Sequence, residues 1–168
     1  MLMRIAGTVN DSIVDGPGLR FSVFTQGCPH GCPGCQNPET HDPNGGTEAD
    51  TDDLIAQFAA NPLLDGLTLT GGEPFEQPEA CIRLARAARA KGLNVWVYSG
   101  ATYEELLAQN DPGIMQLLAL CDVLVDGRYV QSERSLELRF RGSRNQRLID
   151  LPATRRNGHV VCWTPPVW

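Results

Sequence analysis

The sequence predicts an α/β fold built on a mostly parallel sheet, and three observations carry that prediction. Short apolar runs at 66–70, 94–98 and 122–125 alternate with segments of helical periodicity. A glycine closes each run, at Gly71, Gly100 and Gly127. Alternation of this kind implies right-handed crossovers between parallel neighbours. With 168 residues the chain has the length of one domain, 1–168, and is too short for a closed eight-unit barrel of roughly 250 residues.

The elements follow in order. Arg4–Val9 and Arg20–Thr25 are β-type runs, punctuated by Gly16-Pro17-Gly18. Gly27–Gly46 is irregular and rich in Gly, Pro and Cys, and a loop that long inside a compact domain is usually functional. Asp50 caps a helix with the stripe Leu54, Ile55, Phe58 and Ala59. Gly66–Thr70 reads as a buried strand. Pro78 suits the first turn of a helix that buries Cys81, Leu84, Ala85 and Ala88 and stops at Gly92. Asn94–Tyr98 is the next strand, stopped by Ser99-Gly100. Thr102 caps a short helix around Leu106 and Leu107, Ile114–Leu120 is another, and Asp122–Val125 is a strand closed by Asp126-Gly127. Residues 151–168 read as a tail, whose Trp163 and Trp168 are expected against the core or against a partner.

Composition narrows the class. The chain is 42% hydrophobic and 20% charged, as in soluble globular proteins. No apolar run reaches the ~18–20 residues of a membrane span, and residues 1–10 lack a secretory signal, so a cytoplasmic protein is expected. A net charge of −6 argues against general nucleic-acid binding. Yet residues 127–156 hold eight arginines against three acids, a basic segment suited to an anionic ligand, an acidic partner or a solvated face.

Three of the six cysteines, Cys28, Cys32 and Cys35, crowd into eight residues. In a reducing compartment such a cluster is more often metal-binding or catalytic than disulfide-forming. Two readings compete. Zinc needs a fourth ligand, which would be His30 or His41. A 4Fe-4S cluster normally takes four cysteines, so three leave one iron open. Spacing leaves both readings standing and leans towards the cluster. In parallel α/β folds ligands lie beyond the carboxyl ends of the strands. Those ends bring the cysteine loop together with Gly71-Gly72-Glu73, Ser99-Gly100 and Asp126-Gly127-Arg128.

The triplet is the signature of the radical S-adenosylmethionine superfamily. With Asp15-Gly16-Pro17-Gly18-Leu19-Arg20, Leu69-Thr70-Gly71-Gly72-Glu73-Pro74, Val95-Trp96-Val97-Tyr98-Ser99-Gly100 and Arg141-Gly142-Ser143-Arg144-Asn145-Gln146-Arg147, the chain resembles the activating proteins of anaerobic ribonucleoside-triphosphate reductase. The resemblance spans about 15–150 and implies a partial, open β/α barrel. It implies a 4Fe-4S cluster on Cys28, Cys32 and Cys35, with S-adenosylmethionine on the fourth iron. Gly71, Gly72 and Glu73 would bind the methionine amine. Ser99 and Gly100 would face the same ligand, and Asp126 and Arg128 would end the next strand beside it, with Arg128 on the cofactor carboxylate. The implied partners are the reductase, whose glycine would become a radical, and an electron donor such as flavodoxin. Another glycyl-radical enzyme as the target, or a non-catalytic zinc module, are the alternatives. His30 reads as a solvated loop histidine, and Cys81 and Cys121 as inert core residues.

Overall fold

The computed structural model describes residues 1–165. The strands, in chain order, are β1 (Leu2–Ser12), β2 (Arg20–Thr25), β3 (Thr47–Asp50), β4 (Gly66–Gly71), β5 (Asn94–Tyr98), β6 (Val123–Asp126) and β7 (Arg147–Asp150). They form one open sheet ordered β3-β1-β2-β4-β5-β6-β7. The four central strands β2, β4, β5 and β6 run parallel; β1 and β7 flank them antiparallel, and β3 pairs antiparallel with β1 at the edge. The fold is therefore α/β with a mixed, mostly parallel sheet that does not close.

The helices are α1 (Thr51–Ala59), α2 (Pro78–Ala90), α3 (Tyr103–Ala108), α4 (Pro112–Leu120) and α5 (Leu151–Asn157). Asp50 and Asp111 accept from backbone N–H groups at the starts of α1 and α4, and Thr102 with Glu105 forms a capping box on α3. Packing runs α1–α2–α4, with α3 and α5 also against α4, so the helices form one layer. Among the described residues, no helix is long and apolar enough to cross a membrane.

Period-two alternation gives the central strands two different faces. Phe21, Val23, Leu67, Leu69, Val95, Val97 and Leu124 turn towards Leu54, Phe58, Leu84 and Leu117 of the helix layer, all within one buried cluster. Each such side chain is worth roughly 1.5–3 kcal/mol when fully buried. The intervening residues face the other way. Trp96, Val123 and Val125 form a second cluster there with Tyr98, Phe140, Leu148 and Trp163. Trp163 meets Trp96 edge-on, with ring centroids 5.0 Å apart. Thus Trp163 packs, partly buried, against the core; Trp168 lies outside the described residues.

Three elements go beyond the sequence expectation. β3 is a short polar edge strand held by backbone pairing to β1. β7 and α5 occupy what reads as a loop and a tail; β7 pairs with β6, and α5 starts at a cap from Asp150 to the Ala153 N–H. Pairing across the sheet, invisible in local periodicity, makes β3 and β7.

Candidate functional site

The face of the sheet away from the helices carries a cavity of about 370 Å³. That falls in the usual range of ligand pockets, about 300–1,000 Å³. Cys28, Cys32 and Cys35 line it, as do Gly71, Gly72, Tyr98, Ser99 and Gly100. The loop after β6 supplies Arg134, Leu136, Phe140 and Arg141.

The cysteine loop is fixed at its base by backbone hydrogen bonds. The N–H of Gly27 donates to Thr40, that of Cys28 to His41, and that of Glu73 to the Gly27 carbonyl. All three thiols are free and half-buried. Burial raises the Cys28 thiol above its ordinary pKa. Among the described residues, no three His, Cys, Asp or Glu side chains gather so as to hold a single metal ion. A 4Fe-4S cluster places its thiolates on separate irons. Three free thiols around one cavity fit that demand.

Gly72 owes its identity to the cysteine loop, and Gly71 to β2, whose backbone at Phe24 and Thr25 a Cβ there would meet. A Cβ at Gly72 would lie 2.5 Å from the Gly27 carbonyl oxygen. The strand end therefore presses backbone to backbone against the base of the loop, where only glycine fits.

Glu73 is the hub of the site. Its carboxylate is buried, and four donors point at it. Oε1 accepts from His30 Nε2 at 2.6 Å, from the Ser99 hydroxyl at 2.8 Å and from the Gly100 N–H at 2.9 Å. Oε2 accepts from the Phe75 N–H at 3.1 Å. Glu73, expected on a ligand amine, ties the cysteine loop to the ends of β4 and β5. His30, expected to be solvated, is its main partner, with a side chain 11% exposed. A Cβ at Gly100 would overlap the His30 ring. Sequence reasoning missed His30; the available signal was a histidine between two cysteines with an unpaired glutamate at a neighbouring strand end.

Asp126 and Arg128 take other partners. Asp126 is buried and accepts from Arg147 and from the Tyr103 N–H at the start of α3. Arg128 pairs with Glu105 at 3.0 Å. Neither lines the large cavity; Arg128 borders a separate depression with His30, Cys32 and Pro33. The pleat starts Asp126 on the side opposite Val123 and Val125, and its partner Arg147 on β7 draws it away from the cavity.

Parts of two quoted motifs serve as scaffolding. Arg20 is fully buried and donates to Thr68 Oγ1 and to the carbonyls of Pro17 and Leu67. It lies over the Trp96 ring, and burial lowers its pKa to about 10. It thereby fastens the turn that precedes β2. In the run 141–147, Gln146 accepts from the N–H groups of Gly142 and Ser143 and donates to the Gly127 carbonyl. Asn145 donates to the Arg128 carbonyl. The loop between β6 and β7 is thus pinned at its base. Cys81 and Cys121 are buried, and burial pushes the Cys81 thiol up to about 12 and Cys121 up as well.

Comparison with known proteins agrees with this layout. Residues 14–149 match the family of 4Fe-4S single cluster domains. An anaerobic ribonucleoside-triphosphate reductase-activating protein from Escherichia coli K12 is 37% identical over 142 residues, covering 80% of this chain and 90% of its own. The proteins of the same name from Vibrio cholerae and Enterobacteria phage T4 are 34% and 32% identical, each over 80% of this chain and over 89% and 86% of their own. The matched span carries the cysteine loop, both glycine strand ends and the pinned loop after β6, and the chain belongs to the family of anaerobic ribonucleoside-triphosphate reductase-activating proteins.

Proposed function

We propose that this chain is an activase. It holds a 4Fe-4S cluster on Cys28, Cys32 and Cys35, binds S-adenosylmethionine beside it, and takes a hydrogen atom from a glycine of an anaerobic ribonucleoside-triphosphate reductase. The observation that carries the reading is one cavity shared by three free thiols and the glycine ends of β4 and β5. In this reading the sheet is an open β/α barrel of the radical S-adenosylmethionine type, with helices outside and ligands inside.

A 4Fe-4S cluster reduced by an outside donor such as flavodoxin would supply the electron for cleaving the sulfonium–carbon bond of S-adenosylmethionine. The protein's own part is to bind, orient and keep water out. Cys28, Cys32 and Cys35 hold one iron each. The backbone at Gly71 and Gly72, with Ser99 and Gly100, borders the methionine end. Glu73 positions rather than binds, by fixing His30 and the Ser99-Gly100 turn. Arg134 and Arg141 are the guanidinium groups on the cavity wall, so one of them, rather than Arg128, faces the cofactor carboxylate. Asp126 supports α3 and β7.

The test is anaerobic reconstitution followed by iron and sulfide analysis, then electron paramagnetic resonance of a mixture with S-adenosylmethionine, reductant and the reductase. The expected result is four irons and four sulfides per chain and a glycyl radical on the reductase, both lost in Cys32→Ala. Stoichiometric zinc without sulfide, or a glycyl signal that survives Cys32→Ala, would overturn the reading.

A further inference from the structure

Two segments with exposed aliphatic side chains border the cavity. The turn before β2 carries Ile13, 71% exposed, and Val14, 69% exposed. The loop after β6 carries Leu136, 88% exposed. Val14 and Leu136 both line the cavity, and their segments adjoin the two outermost of the four parallel strands. Exposed apolar groups bordering a concave site are a common mark of an interaction surface.

Charge adds to this. Arg134, Arg139 and Arg144 lie on the same loop, are exposed, and form no ion pair with a carboxylate among the described residues. In a chain of net charge −6 they make a local basic strip. The loop is held rather than loose. Gln146, Asn145 and Ser143 fasten its base, and Arg134 bridges to Ser143. A surface ordered in advance loses less entropy on binding.

We propose that Ile13, Val14 and Leu136, with the arginines of the 134–144 loop, form the docking surface for the polypeptide that brings the target glycine, and that this polypeptide meets them with apolar and acidic side chains. The proposal rests on the activase reading. Hydrogen transfer needs the reacting atoms near contact, so a glycine within a chain enters the cavity only with its flanking residues across these edges. Opposite charge speeds and orients such an encounter.

The experiment compares wild type with Ile13→Asp and with the double variant Arg139→Glu, Arg144→Glu, none of which lines the cavity. Circular dichroism checks folding. Two readouts follow: 5′-deoxyadenosine formation with chemical reductant alone, and affinity for the reductase by fluorescence anisotropy at low and moderate salt. Cleavage is expected within twofold of wild type. Affinity is expected to fall tenfold or more, with a flatter salt dependence for the charge-reversed variant and retention in Arg139→Lys. Unchanged affinity in both variants would overturn the proposal. So would a change in the chain's own sedimentation mass with reductase affinity intact, which assigns the edges to a second copy. Failure of the activase reading appears separately, as wild type that forms no 5′-deoxyadenosine, while the affinity comparison still reports on the surface.

Discussion

The ends of β5 and β6 look alike in sequence and do opposite things. β5 ends in Tyr98-Ser99-Gly100 and β6 in Val125-Asp126-Gly127. Both lie at the carboxyl edge of a parallel sheet, where ligands are found. At β5, Tyr98, Ser99 and Gly100 all line the cavity, and Glu73 accepts from both the Ser99 hydroxyl and the Gly100 N–H. At β6, Asp126 turns to the helix layer, and Arg147 opposite it on β7 closes the strand end with Glu104. Ser99 and Asp126 follow Val97 and Leu124 and share one phase of the pleat, so a strand end locates a site only where no neighbouring strand has already claimed the side chain.

The sharpest way to break this contrast is at Glu73. Glu73→Ala strands four donors, three of them fully or largely buried. Hydrogen bonds to a charged group contribute about 1.5–3 kcal/mol each net of water, offset here by the cost of burying the carboxylate, which alanine avoids. A net loss of about 3 kcal/mol in urea unfolding is expected, with faster amide exchange at Cys28–Cys35. Reconstituted iron content should fall with it. Stability within about 0.5 kcal/mol of wild type would show that the carboxylate is not the hub.

Gly100→Ala sharpens the comparison at lower cost. The new methyl group overlaps the His30 ring, so the ring must leave Glu73 or the turn must shift. Overpacking of this kind costs about 1–3 kcal/mol. The same substitution in a His30→Ala background should cost much less, because the clash is gone. Thermal or urea unfolding of the four proteins of that cycle measures the coupling. Equal costs in both backgrounds would mean that His30 does not dictate the glycine. At Gly127 the nearest neighbour of a Cβ is 3.7 Å away, although its φ of +100° still disfavours alanine there.

Much of this was readable in advance. The central strands, four of the five helices and the convergence of the cysteine loop with Gly71 and Gly100 follow from periodicity, caps and strand-end glycines. Asp126 was only half readable: Ser99 shares its phase of the pleat and lines the cavity, and the Arg147 partner on β7 is what draws Asp126 away. β7 and α5 were not. Arg147–Asp150 has only four residues, and nothing local tells that they pair with β6. The His30–Glu73 contact was equally hidden: 43 residues separate the two, and the pairing of β2 with β4, continued by the Glu73 N–H to the Gly27 carbonyl, brings them together. Long-range pairing, not composition, decides which polar residues meet.

The smallest expected effect lies at Arg128, on the side of the comparison where ion pairing is exposed. Its guanidinium holds the Glu105 carboxyl down, from an ordinary 4.5 to about 2, with help from the Thr102 N–H. A depressed carboxylate adds stability that is fully present above its ordinary range and is lost as pH falls from there towards about 2. Both side chains are nearly half exposed. Solvent screening therefore keeps the pair below about 1 kcal/mol at neutral pH. Arg128→Ala should cost no more than that in urea at pH 7 and nothing measurable below pH 2. The Glu105 midpoint, followed by carboxyl carbon chemical shift, should rise while staying below 4.5, because the capping bond to Thr102 remains. If Arg128 faces the cofactor carboxylate instead, Arg128→Ala would weaken S-adenosylmethionine binding tenfold or more and leave the Glu105 midpoint in place, and β6 would then serve the cavity as β5 does.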